Sequence, residues 1–156
     1  MKKILFVCTG NTCRSPMAGA LFQKLINEKG LSGKYSCKSA GVYAFEHDPA
    51  TSEAVEVMKN EYGIDISDHR ASVLDFDDIM DAWLILVMTE RHRNMILDVF
   101  PQAADKLFTL KSFAEVDDEN PDISDPFGMD YEVYKNCAAE IETLLNRIIA
   151  KLIKSE

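Results

Sequence analysis

The chain has 156 residues, with 17 Lys and Arg against 26 Asp and Glu, a net charge of −9 and a pI near 4.8. That length fits one domain over residues 1–156, large enough to bury a core without disulfide staples. The acidic balance argues against nucleic acid and anionic membrane surfaces as partners, since both need a basic face, and no apolar run approaches the roughly 20 residues that cross a bilayer.

Met1-Lys2-Lys3 is followed only by Ile4-Leu5-Phe6-Val7 before the chain turns polar. That run is too short for a signal peptide, and no small-residue cleavage site follows it. A cytoplasmic chain is expected, with Cys8, Cys13, Cys37 and Cys137 as reduced thiols. No C-x-x-C pair exists and His47, His69 and His92 are scattered, so no zinc site is expected.

In chain order, Lys3 to Cys8 reads as a short buried strand and Thr9 to Ser15 as a polar loop. Pro16 suits the first turn of a helix whose apolar stripe is Met17, Leu21, Leu25 and Ile26 and whose end is Gly30. Tyr35 to Ala40 is a second strand. Thr51 or Ser52 caps a helix running to Tyr62, with Gly63 behind it. Trp83 to Met88 is a third strand, followed by a helix capped by Thr89 and reaching about Phe100. Lys106 to Leu110 is a fourth strand, and Asp117 to Gly128 a long acidic loop. The stripe Val133, Cys137, Ile141, Leu144, Leu145, Ile148 and Leu152 marks a long final helix from about Tyr131 to Ile153. Alternating strands and helices predict an α/β fold, a single domain with a four-stranded parallel sheet covered by helices on both faces. Such sheets bind ligands at the C-terminal ends of their strands, where the strand order reverses.

The chemistry concentrates in Cys8-Thr9-Gly10-Asn11-Thr12-Cys13-Arg14-Ser15. Backbone N–H groups at a helix start, together with the helix dipole, make such a loop an anion cradle. A thiolate at Cys8 would sit in the same field. Arg14 can return across the loop, and its planar fork grips two oxygens of a phosphoryl group. Ser15 can offer its hydroxyl to the Cys8 sulfur. Transfer of a phosphoryl group also needs a proton source for the leaving group. Asp125, in Ser124-Asp125-Pro126-Phe127-Gly128, is a candidate because Pro126 stiffens the turn that presents it; Phe127 could wall the pocket. On the residues alone, a plain Asp-Pro turn remains open, as do Glu115, Asp117, Asp118, Glu119 and Asp122 as competing carboxylates.

These residues resemble the low-molecular-weight protein tyrosine phosphatases over nearly the whole chain. The likeness is carried by Val7 to Pro16, the Ser39-Ala40-Gly41 turn, His69 and Asp125-Pro126-Phe127-Gly128. It implies a flavodoxin-like fold, Cys8 as nucleophile, Arg14 as phosphoryl clamp and Asp125 as general acid. Thr9, Gly10, Asn11, Thr12, Cys13, Ser15 and Phe127 then line the phosphate and substrate site, while Ser39 and His69 support the loop through Asn11. The implied substrate is a phosphorylated protein, hydrolysed through a phosphocysteine without metal or cofactor, by a chain expected to be monomeric. Members with a second loop cysteine can form a reversible disulfide, which makes Cys13 a candidate redox partner of Cys8; simple packing of the loop is the alternative.

Thr12 stands where many tyrosine phosphatases of the family carry an aliphatic residue, and in this it resembles the protein arginine phosphatase branch. A hydroxyl at the wall can bond a guanidinium, whereas a methyl-rich wall suits a flat ring. The acidic loop would favour a cationic leaving group by its field. The sequence therefore leans to phosphoarginine, with phosphotyrosine as the rival. Three further readings compete. A thiol-dependent arsenate reductase needs relay cysteines, and none lies between Cys37 and Cys137. A silent phospho-binding module is unsupported while Cys8, Arg14 and Asp125 are all present. A small-molecule phosphatase stays open.

The remaining features read as structural. Asp75 to Asp81 is taken as a solvated helix start, Trp83 as core, and Arg91-His92-Arg93 as an exposed basic patch. Tyr131 and Tyr134 are read as packing of the last helix.

Overall fold

A computed structural model describes residues 1–156. Four strands, β1 (Lys2–Cys8), β2 (Tyr35–Gly41), β3 (Leu84–Val87) and β4 (Leu107–Thr109), form one all-parallel sheet in the order β2-β1-β3-β4. The connecting helices are α1 (Arg14–Glu28), α2 (Ser52–Tyr62), α3 (Phe76–Asp81), α4 (Glu90–Val99), α5 (Leu110–Phe113) and α6 (Tyr131–Lys154). The expected fold class is the one found. The chain order reverses between β1 and β3, so the crevice above their C-terminal ends is the switch point where open α/β sheets take ligands.

The two-residue period of a strand divides the core. Ile4, Phe6 and Cys8 of β1, with Leu84 and Leu86 of β3, pack on one face against α1 and α6, where Leu21, Phe22, Ile141 and Leu145 are fully or almost fully buried. Leu5, Val7, Ile85 and Val87 point to the other face, against Ile79 of α3 and Ile96 of α4. Both faces are dry, which is why β1 and β3 read as continuous apolar runs rather than alternating ones.

The helix signals act as expected. The Thr51 hydroxyl accepts from Ala54 N, the Thr89 hydroxyl from His92 N, and Gly63 closes α2 in the left-handed region at φ 68°. β3 and β4 are each one residue shorter at both ends than the sequence suggests, β4 at its C-terminal end because Thr109 is already the cap of α5, while β1 and β2 each gain one residue. Asp75 starts α3 through a capping box with Asp78. Asp78 is not solvated, however: it is buried and ion-paired with Lys38. Trp83 is not core either. It precedes β3 at the N-terminal edge of the sheet, 41% exposed, with Lys2 Nζ 4.5 Å from its ring centroid. Just before the strand, its ring packs beside Tyr35 and under Lys2 rather than in either core cluster. No helix is long and apolar enough to cross a membrane.

Candidate active site

β1 ends at Cys8 and α1 starts at Arg14, so residues 8–15 wrap the N-terminus of α1 at the switch point. Asn11 organises this loop. It adopts φ 57°, a left-handed conformation that asparagine tolerates better than most residues. Its side chain, fully buried, donates from Nδ2 to Ser15 Oγ at 2.8 Å and Ser39 Oγ at 2.9 Å. Its Oδ1 accepts from Ser72 N at 2.9 Å. The Asn11 carbonyl lies 2.7 Å from His69 Nε2, which must carry the proton to donate there. Burial lowers the His69 pKa, against the partial compensation of that bond, so the ring is a neutral donor.

Ser15 Oγ lies 2.9 Å from Cys8 Sγ. It already accepts the Asn11 amide, which leaves its own hydrogen free for the sulfur. The end of β2 clamps the loop from the side: Val42 N donates to Cys8 O and Tyr43 N to Thr9 O. A Cβ on Gly41 would lie 2.5 Å from Thr9 O and 2.9 Å from Asn11 N. Glycine is required at that position by the closeness of the two backbones.

Arg14, 4% exposed, donates from Nη1 to Ile123 O at 2.8 Å, and its Nη2 is 3.5 Å from Asp125 Oδ2. The late loop is hooked to the sheet through Ile123 N, which donates to Met88 O at 2.9 Å. Asp122 accepts from Glu90 N at the start of α4. The buried Lys111 ties Asp118, the Asn120 carbonyl and Glu140. Burial alone would lower its pKa, but the two carboxylates outweigh burial and hold it raised. Asp125 Oδ1 accepts from Phe127 N at 3.1 Å, the turn expected of an Asp-Pro pair, and the carboxylate stays half exposed.

These elements enclose a pocket of about 320 Å³. Cys8, Thr9, Gly10, Thr12, Cys13 and Arg14 line it from the loop, with Asp125 and Phe127 opposite. Asn11, Ser15, Ser39 and His69 lie outside the lining and act on the loop. The residues that the family resemblance implies for the site are thus brought together, whereas the competing carboxylates Glu115, Asp117, Asp118, Glu119 and Asp122 do not line the pocket. Cys13 Sγ lies 3.3 Å from Tyr134 Oη, and burial raises its pKa despite the hydrogen bonds with Tyr134, Thr12 and Thr51. Tyr134 is buried as packing required, yet its hydroxyl also reaches the loop. Burial pushes Cys37 up to about 11 and Cys137 up to about 12, which keeps both as protonated thiols at neutral pH.

Sequence reasoning missed five contributors. Ser72 and Ile123 act through their backbones and leave no side-chain signal. Tyr43, Phe45 and Asp48 come from the loop after β2, where nothing local marks them as pocket walls. The basic patch around His92 is a correction. His92 is 3% exposed, and its Nε2 lies 2.8 Å from Thr9 Oγ1. α4 turns this side chain inward while Arg91 stays in solvent.

A family model described as low molecular weight phosphotyrosine protein phosphatase matches residues 3–156. A protein-arginine-phosphatase of Geobacillus stearothermophilus is 49% identical over 150 residues, covering 96% of this chain and 95% of that one. A crystal structure of a low molecular weight protein tyrosine phosphatase from T. tengcongensis is also 49% identical, with a TM-score of 0.90 over 97% of this chain and 99% of that chain. The YwlE arginine phosphatase, solved as a cysteine-to-serine variant with a phosphorylated active site serine, is 41% identical with a TM-score of 0.88, covering 99% and 97%. These matches span nearly the whole chain, and the chain belongs to the low molecular weight phosphotyrosine protein phosphatase family.

Proposed function

We propose that this enzyme removes phosphate from phosphoarginine side chains of proteins through a phosphocysteine. The observation that carries the substrate preference is the make-up of the pocket. Its one cation, Arg14, is buried at the base, while its walls carry the Thr12 hydroxyl and two carboxylates, Asp48 and Asp125. A phosphoryl group meets positive charge at the base, and a guanidinium leaving group meets negative charge and a hydroxyl at the rim. A phenol would gain nothing from Asp48.

In the first step, the Cys8 thiolate attacks phosphorus in line. The phosphorus–nitrogen bond breaks, its electron pair leaves with the guanidine nitrogen, and Asp125 supplies that nitrogen with a proton. Arg14 and the loop amides hold the equatorial oxygens, where charge is spread in a loose transition state. In the second step, water attacks the phosphocysteine and gives a proton to Asp125. The sulfur–phosphorus bond breaks, and the departing thiolate receives the Ser15 hydroxyl hydrogen bond.

The rival substrate is phosphotyrosine, which the exposed Tyr43, Phe45 and Phe127 at the rim could flank. A comparison of kcat/KM on a phosphoarginine and a phosphotyrosine peptide, for wild type and Thr12→Ile, separates them. Preference for phosphoarginine that collapses in Thr12→Ile is expected. Preference for phosphotyrosine unmoved by the change would reassign the substrate and make Thr12 neutral. We also read the enzyme as a cytoplasmic monomer, because the pocket is complete within one chain and a nucleophilic thiol suits a reducing compartment.

A further inference from the structure

Thr9 and His92 lie 83 positions apart in sequence and meet behind the phosphate loop. His92 is almost fully buried, and its Nδ1 is a buried atom with no hydrogen-bond partner. A neutral imidazole has one N–H and one bare nitrogen. Buried N–H groups without an acceptor are rare, whereas an under-satisfied acceptor is tolerated more often. The proton therefore belongs on Nε2, the nitrogen facing Thr9 Oγ1 at 2.8 Å. Nε2–H then donates to the Thr9 oxygen. The hydroxyl hydrogen of Thr9 cannot point back at the same nitrogen, and Thr9 lines the pocket.

We propose that His92 is a positioning residue that turns the Thr9 hydroxyl into a hydrogen-bond donor aimed at the bound phosphoryl group. Thr9 would then add a side-chain donor to the backbone amides of the cradle, worth most when charge builds on the equatorial oxygens. Charge on His92 would not abolish the Nε2 donor, but it would put a second cation beside Arg14 in a dry site. Burial, and next the Arg14 charge, pull the His92 pKa down to about 4, with Asp122 and Asp125 opposing, so the ring is neutral at working pH. This assignment rests on the phosphoryl pocket proposed above, but it is indifferent to whether arginine or tyrosine leaves.

The test combines four variants with ¹⁵N NMR of the imidazole and the affinity for inorganic phosphate. Thr9→Val keeps the β-branched shape and removes the donor. It is expected to lower kcat by about 10- to 100-fold, the range for losing a hydrogen bond to a charged group, with a smaller change in KM. His92→Leu should cost a similar factor, and the double variant no more than either alone. His92→Gln can place its amide nitrogen where Nε2 was and should recover most of kcat. Should His92→Leu fail to fold, Thr9→Val and the spectrum still decide. The free wild-type spectrum should report protonated Nε2 and bare Nδ1, and Thr9→Val should weaken phosphate binding. An Nδ1–H tautomer, unchanged phosphate affinity in Thr9→Val, or additive losses in the double variant would overturn the assignment. Absence of wild-type turnover on any phosphopeptide would sink the proposed function instead, leaving the spectrum and the phosphate affinity to judge Thr9 and His92.

Discussion

Asn11 and Asp125 serve the same pocket from opposite sides and are held in opposite ways. Asn11 is fully buried and hydrogen-bonded through both side-chain atoms and its carbonyl. Asp125 is half exposed, with one local backbone bond and a 3.5 Å contact to Arg14. The difference follows from what each side of a phosphoryl transfer demands. Donors aimed at developing charge lower a barrier only if they need no reorganisation when the charge appears. A proton donor must instead meet leaving groups of varied shape and later a water molecule, so its carboxylate stands on an exposed turn. The turn is nonetheless anchored one step back, where Ile123 is tied to both Met88 and Arg14.

The largest expected effect would break the cradle side. Cys8→Ser should reduce turnover by at least about a thousandfold, since a serine hydroxyl is a far poorer nucleophile at neutral pH, with the melting temperature close to wild type. Appreciable residual turnover would remove Cys8 as nucleophile. Next comes the exposed side. Asp125→Asn should cost about 10²- to 10⁴-fold with poor leaving groups and much less with 4-nitrophenyl phosphate. Equal losses across leaving groups in steady-state kinetics would remove Asp125 as general acid.

Gly41→Ala tests the rigidity of the cradle without touching a reacting group. The new methyl must push back Thr9 O or Asn11 N, and misplacing a site by a fraction of an ångström to an ångström costs roughly 10- to 100-fold in kcat/KM. Wild-type kinetics in that variant would mean that the loop adapts. Acid should expose the same region. Unfolded His92 takes up a proton below about pH 6.5, while the folded ring resists until about pH 4. The contribution is therefore fully present above pH 6.5 and is lost as pH falls to about 4, on the order of 3 kcal/mol in all. Denaturant titrations at pH 7 and pH 4.5 should show that loss in wild type and less of it in His92→Gln. The smallest effect sharpens the other side. Lys111→Met removes the anchor of residues 118–120 and should cost about 1–3 kcal/mol of stability and a few-fold in kcat. An unchanged melting temperature would mean that the Ile123 hook alone holds the late loop.

Legibility in the sequence follows the range of the forces involved. α1 and α6 were readable because an apolar stripe is a local pattern. The phosphate loop was readable because a nucleophile, a clamp arginine and a helix start lie within eight residues. Asp125 could be proposed but not chosen among its acidic neighbours from the residues alone, and the family likeness singled it out. Trp83 misled because an apolar side chain at a strand start says nothing of where the sheet ends. His92 misled because two flanking arginines suggest solvent, while the rotation of α4 sends alternate side chains of the same segment to different surroundings. Tyr43 and Asp48 were invisible, since what brings them to the pocket is the clamp of the β2 end onto Cys8 and Thr9.

By itself the sequence determined the alternation of strands and helices, the anion-cradling loop and its thiol, because periodicity, caps and a short motif are properties of neighbouring residues. Tertiary structure alone decided what surrounds that loop: Ser72 on Asn11, Ile123 on Arg14, His92 on Thr9 and Asp48 at the rim. Those contacts join segments tens of residues apart, and a buried hydrogen bond forms wherever folding leaves a donor and an acceptor no water to choose instead.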